Sequence, residues 1–97
     1  MSDYLDQMLD KRKRIWETER ELGRLKAEGG SLSEIAEQEY KLRQILLEGR
    51  VLTTFDELND KTARLNIIDL KIRELSAEIE ELQRQREELL KEGRPPP

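Results

Sequence analysis

Ninety-seven residues, 41% of them charged, 35% hydrophobic and 4% aromatic, with a mean hydropathy of -0.87, suffice for one folding unit but not for a thick core. A net charge of -4 disfavours a general polyanion binder. The lack of cysteine excludes disulfides, thiolate zinc sites and cysteine nucleophiles, and histidine is absent as well.

So high a charge content usually accompanies disorder. Here the charges are mixed in sign and the apolar residues recur at helical spacing, which points to long helices. A thin helical unit gains its missing burial by association, so a homo-oligomer, with a dimer favoured, or a protein partner is expected. No stretch approaches the ~18 apolar residues of a membrane span, and Met1 to Asp6 lacks the basic start and apolar run of a secretory signal. A cytoplasmic protein with no membrane partner is the expectation.

The first predicted helix covers residues 3–28. Tyr4, Met8, Ile15, Leu22 and Leu25 form one stripe at three- and four-residue spacing, widened by Leu5, Leu9 and Trp16. Ser2 is placed to cap it, with Asp3 and Asp6 near the positive end of the helix dipole. Within it, Lys11, Arg12, Lys13 and Arg14 form the densest charge cluster, whose cations would surround most of a turn. They are candidate phosphate contacts for a nucleic-acid-associated regulator. The alternative is a solvated face balanced by Asp10, Glu17 and the acidic C-terminal half. Trp16 reads either as core packing or as a partner-binding anchor, and Tyr40 and Phe55 are further anchor candidates.

Gly29-Gly30 breaks the helical pattern, and Ser31-Leu32-Ser33-Glu34 supplies a capping box for a second helix over residues 32–48. Leu32, Ile35, Leu42 and Leu46 form its stripe, with a stop at Gly49. From Ile45 to Thr54 two readings compete: a small β-hairpin around Glu48-Gly49, or a helix end, a turn and a new cap.

Thr54 and Glu57 form a second capping box, and no glycine or proline interrupts residues 55–92. Such a helix would span roughly 57 Å at ~1.5 Å per residue. Leu65, Ile72, Ile79 and Arg86 occupy heptad position a, and Ile68, Leu75, Leu82 and Leu89 position d. Isoleucine at a with leucine at d suits a parallel two-stranded coil, so Leu65, Ile68, Ile72, Leu75, Ile79, Leu82 and Leu89 are the expected oligomer interface. Lys61 and Arg86 interrupt the seam, either to set register or simply to snorkel to water. The rival topology folds the first two helices back antiparallel along the third, about a turn near Gly49 at the chain's midpoint. Ile67, Leu70 and Leu90 form a second apolar set on the long helix, implying two contact faces. A helical hairpin whose long arm also meets another subunit accommodates both. Gly93 ends the helix, and residues 94–97 are expected to be a disordered proline tail.

The fold class expected is therefore all-α: two shorter N-terminal helices and one long C-terminal helix in a coiled-coil domain over residues 1–93. Carboxylate pairs such as Glu80-Glu81 and Glu87-Glu88 lie away from the stripe, where no pocket would shift a pKa. Neither an enzymatic site nor a cofactor or metal site is expected. An oligomeric adapter acting through helix contacts is the function expected. Two arms around a central hairpin also resemble the layout of β-type prefoldin subunits. That likeness implies a chaperone-like holder, although Gly29-Gly30 interrupts the first arm and no functional residue is carried over.

Overall fold

The computed structural model describes residues 2–93, the side chain of Ser2 excepted, so the capping role expected of Ser2 and the proline tail lie outside the described residues. Three helices, α1 (Ser2–Ala27), α2 (Leu32–Leu47) and α3 (Thr54–Glu92), account for nearly all of it, and no strand occurs among the described residues. None of these helices is long and apolar enough to cross a membrane.

The turns follow from local chemistry. Gly29 adopts φ +72, a left-handed conformation that costs an L side chain but not glycine. Gly30 N–H then donates back to the Leu25 carbonyl at 2.7 Å, closing α1 in a Schellman-type end. A Cβ at Gly30 would lie 2.8 Å from Leu25 Cδ2, so the second glycine is needed for close approach. Ser31 caps α2 by accepting from Glu34 N at 3.2 Å. Gly49, at φ +79, follows extended Glu48 in a tight turn of another kind, in which Arg50 N–H donates to the Leu47 carbonyl at 3.1 Å.

At this turn one of two competing readings is decided and one expectation is corrected. The segment from Ile45 to Thr54 is a helix end, a turn and a new cap rather than a β-hairpin, so the central feature on which the prefoldin likeness rested is not formed. The cap itself is Thr53, not Thr54. Thr53 Oγ1 accepts from Asp56 N at 3.1 Å while the Asp56 carboxylate accepts from Thr53 N at 2.9 Å, a reciprocal box one residue earlier than the Thr54 and Glu57 pair. Aspartate's shorter side chain serves here where glutamate was anticipated.

The three helices form a zigzag with α2 in the middle. α2 packs against both α1 and α3, whereas α1 and α3 do not pack against each other among the described residues. The expectation that both N-terminal helices lie along α3 is thus half met. The reason lies in α2, which is apolar on two opposite sides. Helical spacing puts Ile35, Leu42 and Ile45 on one side and Ala36, Tyr40 and Leu47 on the other. The first side shares a groove with Thr18 and Glu21 of α1, the second a groove with Ala63 and Ile67 of α3.

Both packings are antiparallel: Arg14 meets Glu48 across α1 and α2, while Ser33 meets Glu74 and Gln44 meets Asp60 across α2 and α3. The core is as thin as composition requires. Leu25, Ile45 and Ile67 are its buried apolar residues, joined by Thr18 and Ser33, and the molecule extends 83 × 29 × 20 Å. Thr18 Oγ1 donates to the Arg14 carbonyl at 2.7 Å, so its burial leaves no donor unpaired.

Candidate interaction surface

α3 presents two faces of opposite fate. Asp60, Ala63, Ile67, Leu70, Lys71 and Glu74 lie at heptad positions c, f and g, the side on which α2 docks, and Ile67 is buried there. Beyond Glu74 that side turns polar: Glu81 and Glu88 pair with Arg84 along the helix, as i,i+3 and i,i+4 neighbours do. Its apolar character stops where α2 stops.

The a/d face shows no such change. Leu65, Ile68, Ile72, Leu75, Ile79, Leu82 and Leu89 remain apolar for the length of the helix, yet each is between 52% and 67% exposed. Leu58 continues this strip at one end, and Phe55 and Leu90, 69% and 56% exposed, flank it at its two extremities. This strip is uncovered by the chain's own helices, and exposed apolar strips of this kind mark contact sites. Ile67 and Leu70, the second apolar set foreseen on α3, are consumed by α2; Leu90 lies past the end of α2 and stays exposed.

α1 carries a second exposed set. Leu5, Leu9 and Trp16 fall on the side opposite Thr18 and Leu25, and they do not widen the packed stripe as their spacing suggested. The guanidinium of Arg20 lies 5.3 Å from the centre of the Trp16 ring, a cation–π distance that leaves the ring 57% exposed. Tyr4 and Met8 belong to the packed stripe by spacing, but they reach past the end of α2 and are exposed too.

The remaining predicted site residues divide. Tyr40 is half-buried between α2 and α3, where its hydroxyl donates to Asp60 Oδ1 at 2.6 Å; that hydrogen bond raises the phenol pKa above its ordinary value. It holds the chain together rather than facing outward. In the basic cluster, Arg14 donates two hydrogen bonds to the Glu48 carboxylate, at 2.6 and 2.7 Å, and a third to Asp10. Lys11 Nζ reaches the Glu48 carbonyl at 3.3 Å. Glu48 is held below the usual carboxylate range, first by its hydrogen bond from Arg14. Arg12 and Lys13 face solvent, so half of the tetrad is occupied in closing the far end of the α1–α2 hairpin.

Glu74 escaped the sequence reading. Its carboxylate accepts from both the amide (2.9 Å) and the hydroxyl of Ser33, in the first turn of α2, and these bonds hold its pKa down, the hydroxyl foremost. A residue of α3 thereby completes the N-terminus of α2, with the Lys71–Glu37 ion pair one turn away. Only an acceptor at helical register with Ser33 in the folded chain reveals this, so no local signal exists. Among the described residues no group of acidic side chains is arranged to hold a metal ion, and Glu81 is pulled below its ordinary pKa by Arg84. That shift is opposite in direction to the one a general acid requires. No family, characterised protein or solved structure matches this chain in comparison with known proteins.

Proposed function

We propose that this chain is a cytoplasmic, non-enzymatic oligomerisation and adapter protein, which associates through the a/d seam of α3 and binds partner proteins by helix–helix contact. One observation carries this reading. The side of α3 that α2 covers is apolar only as far as α2 reaches, whereas the seam from Leu58 to Leu89 is open throughout and, Lys61 and Arg86 apart, apolar at every a and d position. Burial of apolar surface is worth about 25 cal/mol per Å². A seam of this length supplies the driving force that a three-residue apolar core lacks.

The heptad spacing supports a helix as the occupant, because knobs repeating every 3.5 residues fit the holes of a facing helix. The outward Leu5, Leu9 and Trp16 set on α1 is the adapter's second surface, since tryptophan flanked by aliphatic residues is the composition of an interface anchor.

Light scattering is the test. The chain should run at a multiple of its 11.5 kDa mass. The double variant Leu75→Glu/Leu82→Glu, which keeps Ile67 and the Ser33–Glu74 contact to α2, should fall to the mass of one chain. A wild-type mass of one chain, or an unchanged multiple in the double variant, overturns the assignment.

A further inference from the structure

We infer that the occupant of the seam is a second copy of this chain running antiparallel, in the register that sets Ile72 beside Leu75 of the other copy; this rests on the oligomeric reading above and specifies it. The seam is close to a palindrome. Read from the N-terminal end it runs Leu58, Lys61, Leu65, Ile68, Ile72, Leu75, Ile79, Leu82, Arg86, Leu89. Read from the other end, leucine meets leucine, cation meets cation and isoleucine meets isoleucine at every layer except the central two, where Ile72 and Leu75 exchange.

A two-fold interface places residue i on residue j and j on i, so the apolar layers of a palindromic strip are self-complementary when the second copy is reversed, while Lys61 and Arg86 share the layers next to the ends, where their long side chains reach water. Leu58 then faces Leu89, Leu65 faces Leu82, and Ile68 faces Ile79. Shifting by one heptad in either direction drops apolar layers off the end and sets Lys61 against Ile79 or Arg86 against Ile68. The preference of isoleucine at a and leucine at d for parallel pairs does not decide against this, because Leu65 and Ile68 reverse that order in the first half of the seam.

The apolar ends of the e flank agree with the seam. Reversing one helix makes e residues meet e residues and g residues meet g residues, whereas parallel chains pair g with e. Here the two flanks differ in kind. The e flank (Phe55, Thr62, Asp69, Ser76, Gln83, Leu90) carries one charge and is apolar at both extremities, so reversal brings exposed Phe55 against exposed Leu90. The g flank (Glu57, Arg64, Lys71, Glu78, Gln85, Glu92) is charged, and reversal places Lys71, which also pairs with Glu37 of α2, beside Glu78 at its centre, Arg64 beside Gln85, and Glu57 beside Glu92 at the solvated ends. Parallel pairing would instead offer Lys71 a serine and Glu78 a glutamine, and would pair Arg64 with Asp69, so each arrangement has one attractive flank pair per copy and the apolar Phe55 and Leu90 contact is what favours reversal.

The attachment of α2 points the same way. α2 lies on α3 only between about Asp60 and Glu74, leaving the second half of α3 as a bare arm. In the reversed arrangement each bare arm lies along the seam of the other copy's covered half. All but the last turn or two at each end of the assembly then has α2 and two α3 helices in cross-section.

The test uses the full chain, which has no native cysteine to interfere. With a spin label at Glu87→Cys, on the outer b position, double electron–electron resonance should give a separation of about 40 Å, from ~1.5 Å per residue along opposed helices. Oxidation of the double variant Leu65→Cys/Leu82→Cys should form a disulfide from position 65 of one copy to position 82 of the other. A two-chain mass with labels below about 25 Å, the side-by-side spacing of parallel helices ~10 Å apart, overturns the antiparallel arrangement and leaves the oligomer standing. A one-chain mass removes the oligomeric reading itself.

Discussion

Thr53 and Thr54 are adjacent and chemically alike, yet one side chain accepts the Asp56 amide and the other does not. Thr53→Ala should lower stability by about 1 kcal/mol, the usual worth of a helix cap, while Thr54→Ala, at the first helical position, should change it by a few tenths. Urea denaturation of the two variants measures the difference. Glu74 makes the other residue-level prediction. Its pKa is depressed in the folded chain, as are those of Glu48 and Asp56, so near pH 4 the unfolded chain binds more protons. Their contribution is complete above the unfolded carboxylate values of about 4 and is lost as pH falls through the lower folded values. The thermal midpoint should therefore drop on acidification below about pH 4, and Glu74→Gln should lower it at pH 7 while shallowing the acid limb. An unaltered acid limb in Glu74→Gln would show that the Ser33 contact contributes nothing in solution.

At the scale of elements, α2 is the part on which the others depend. It holds α1 on one side and α3 on the other, and its apolar contacts to α3 centre on Ile67. Ile67→Ala should cost about 2 kcal/mol, the low end for a buried aliphatic truncation, because the surrounding packing is shallow. The cost should be the same at every protein concentration. Ile72→Ala, on the open seam one turn away, should instead destabilise through association, so that its effect on the unfolding midpoint varies with concentration. Comparing the two variants by circular dichroism at a tenfold range of concentration separates the faces. The heptad run made the seam residues legible in advance, since Leu65 to Leu89 announce themselves by spacing alone. Leu5, Leu9 and Trp16 were misplaced by the same method: periodicity says that a residue is on a stripe, and it does not say how wide a stripe the neighbouring helix covers.

For the whole molecule, an extent of 83 Å with a core of Leu25, Ile45 and Ile67 is a shape that a lone chain of this size holds weakly. On the proposed oligomeric reading, association supplies the rest. The wild-type thermal midpoint should rise with concentration, as mass action requires of a folded oligomer, and that dependence should vanish in Leu75→Glu/Leu82→Glu.

Local chemistry was enough to determine three helices, their breaks at Gly29-Gly30 and Gly49, and the apolar ladder of α3, because capping, left-handed glycines and i,i+3/i+4 spacing all act within a few residues. Tertiary structure alone decided that α1 stays on α2 and never reaches α3, that Glu74 completes the start of α2, and that the seam is left open. Those outcomes depend on which of two apolar sides of α2 meets which helix, a competition among residues dozens of positions apart that no short window of sequence contains.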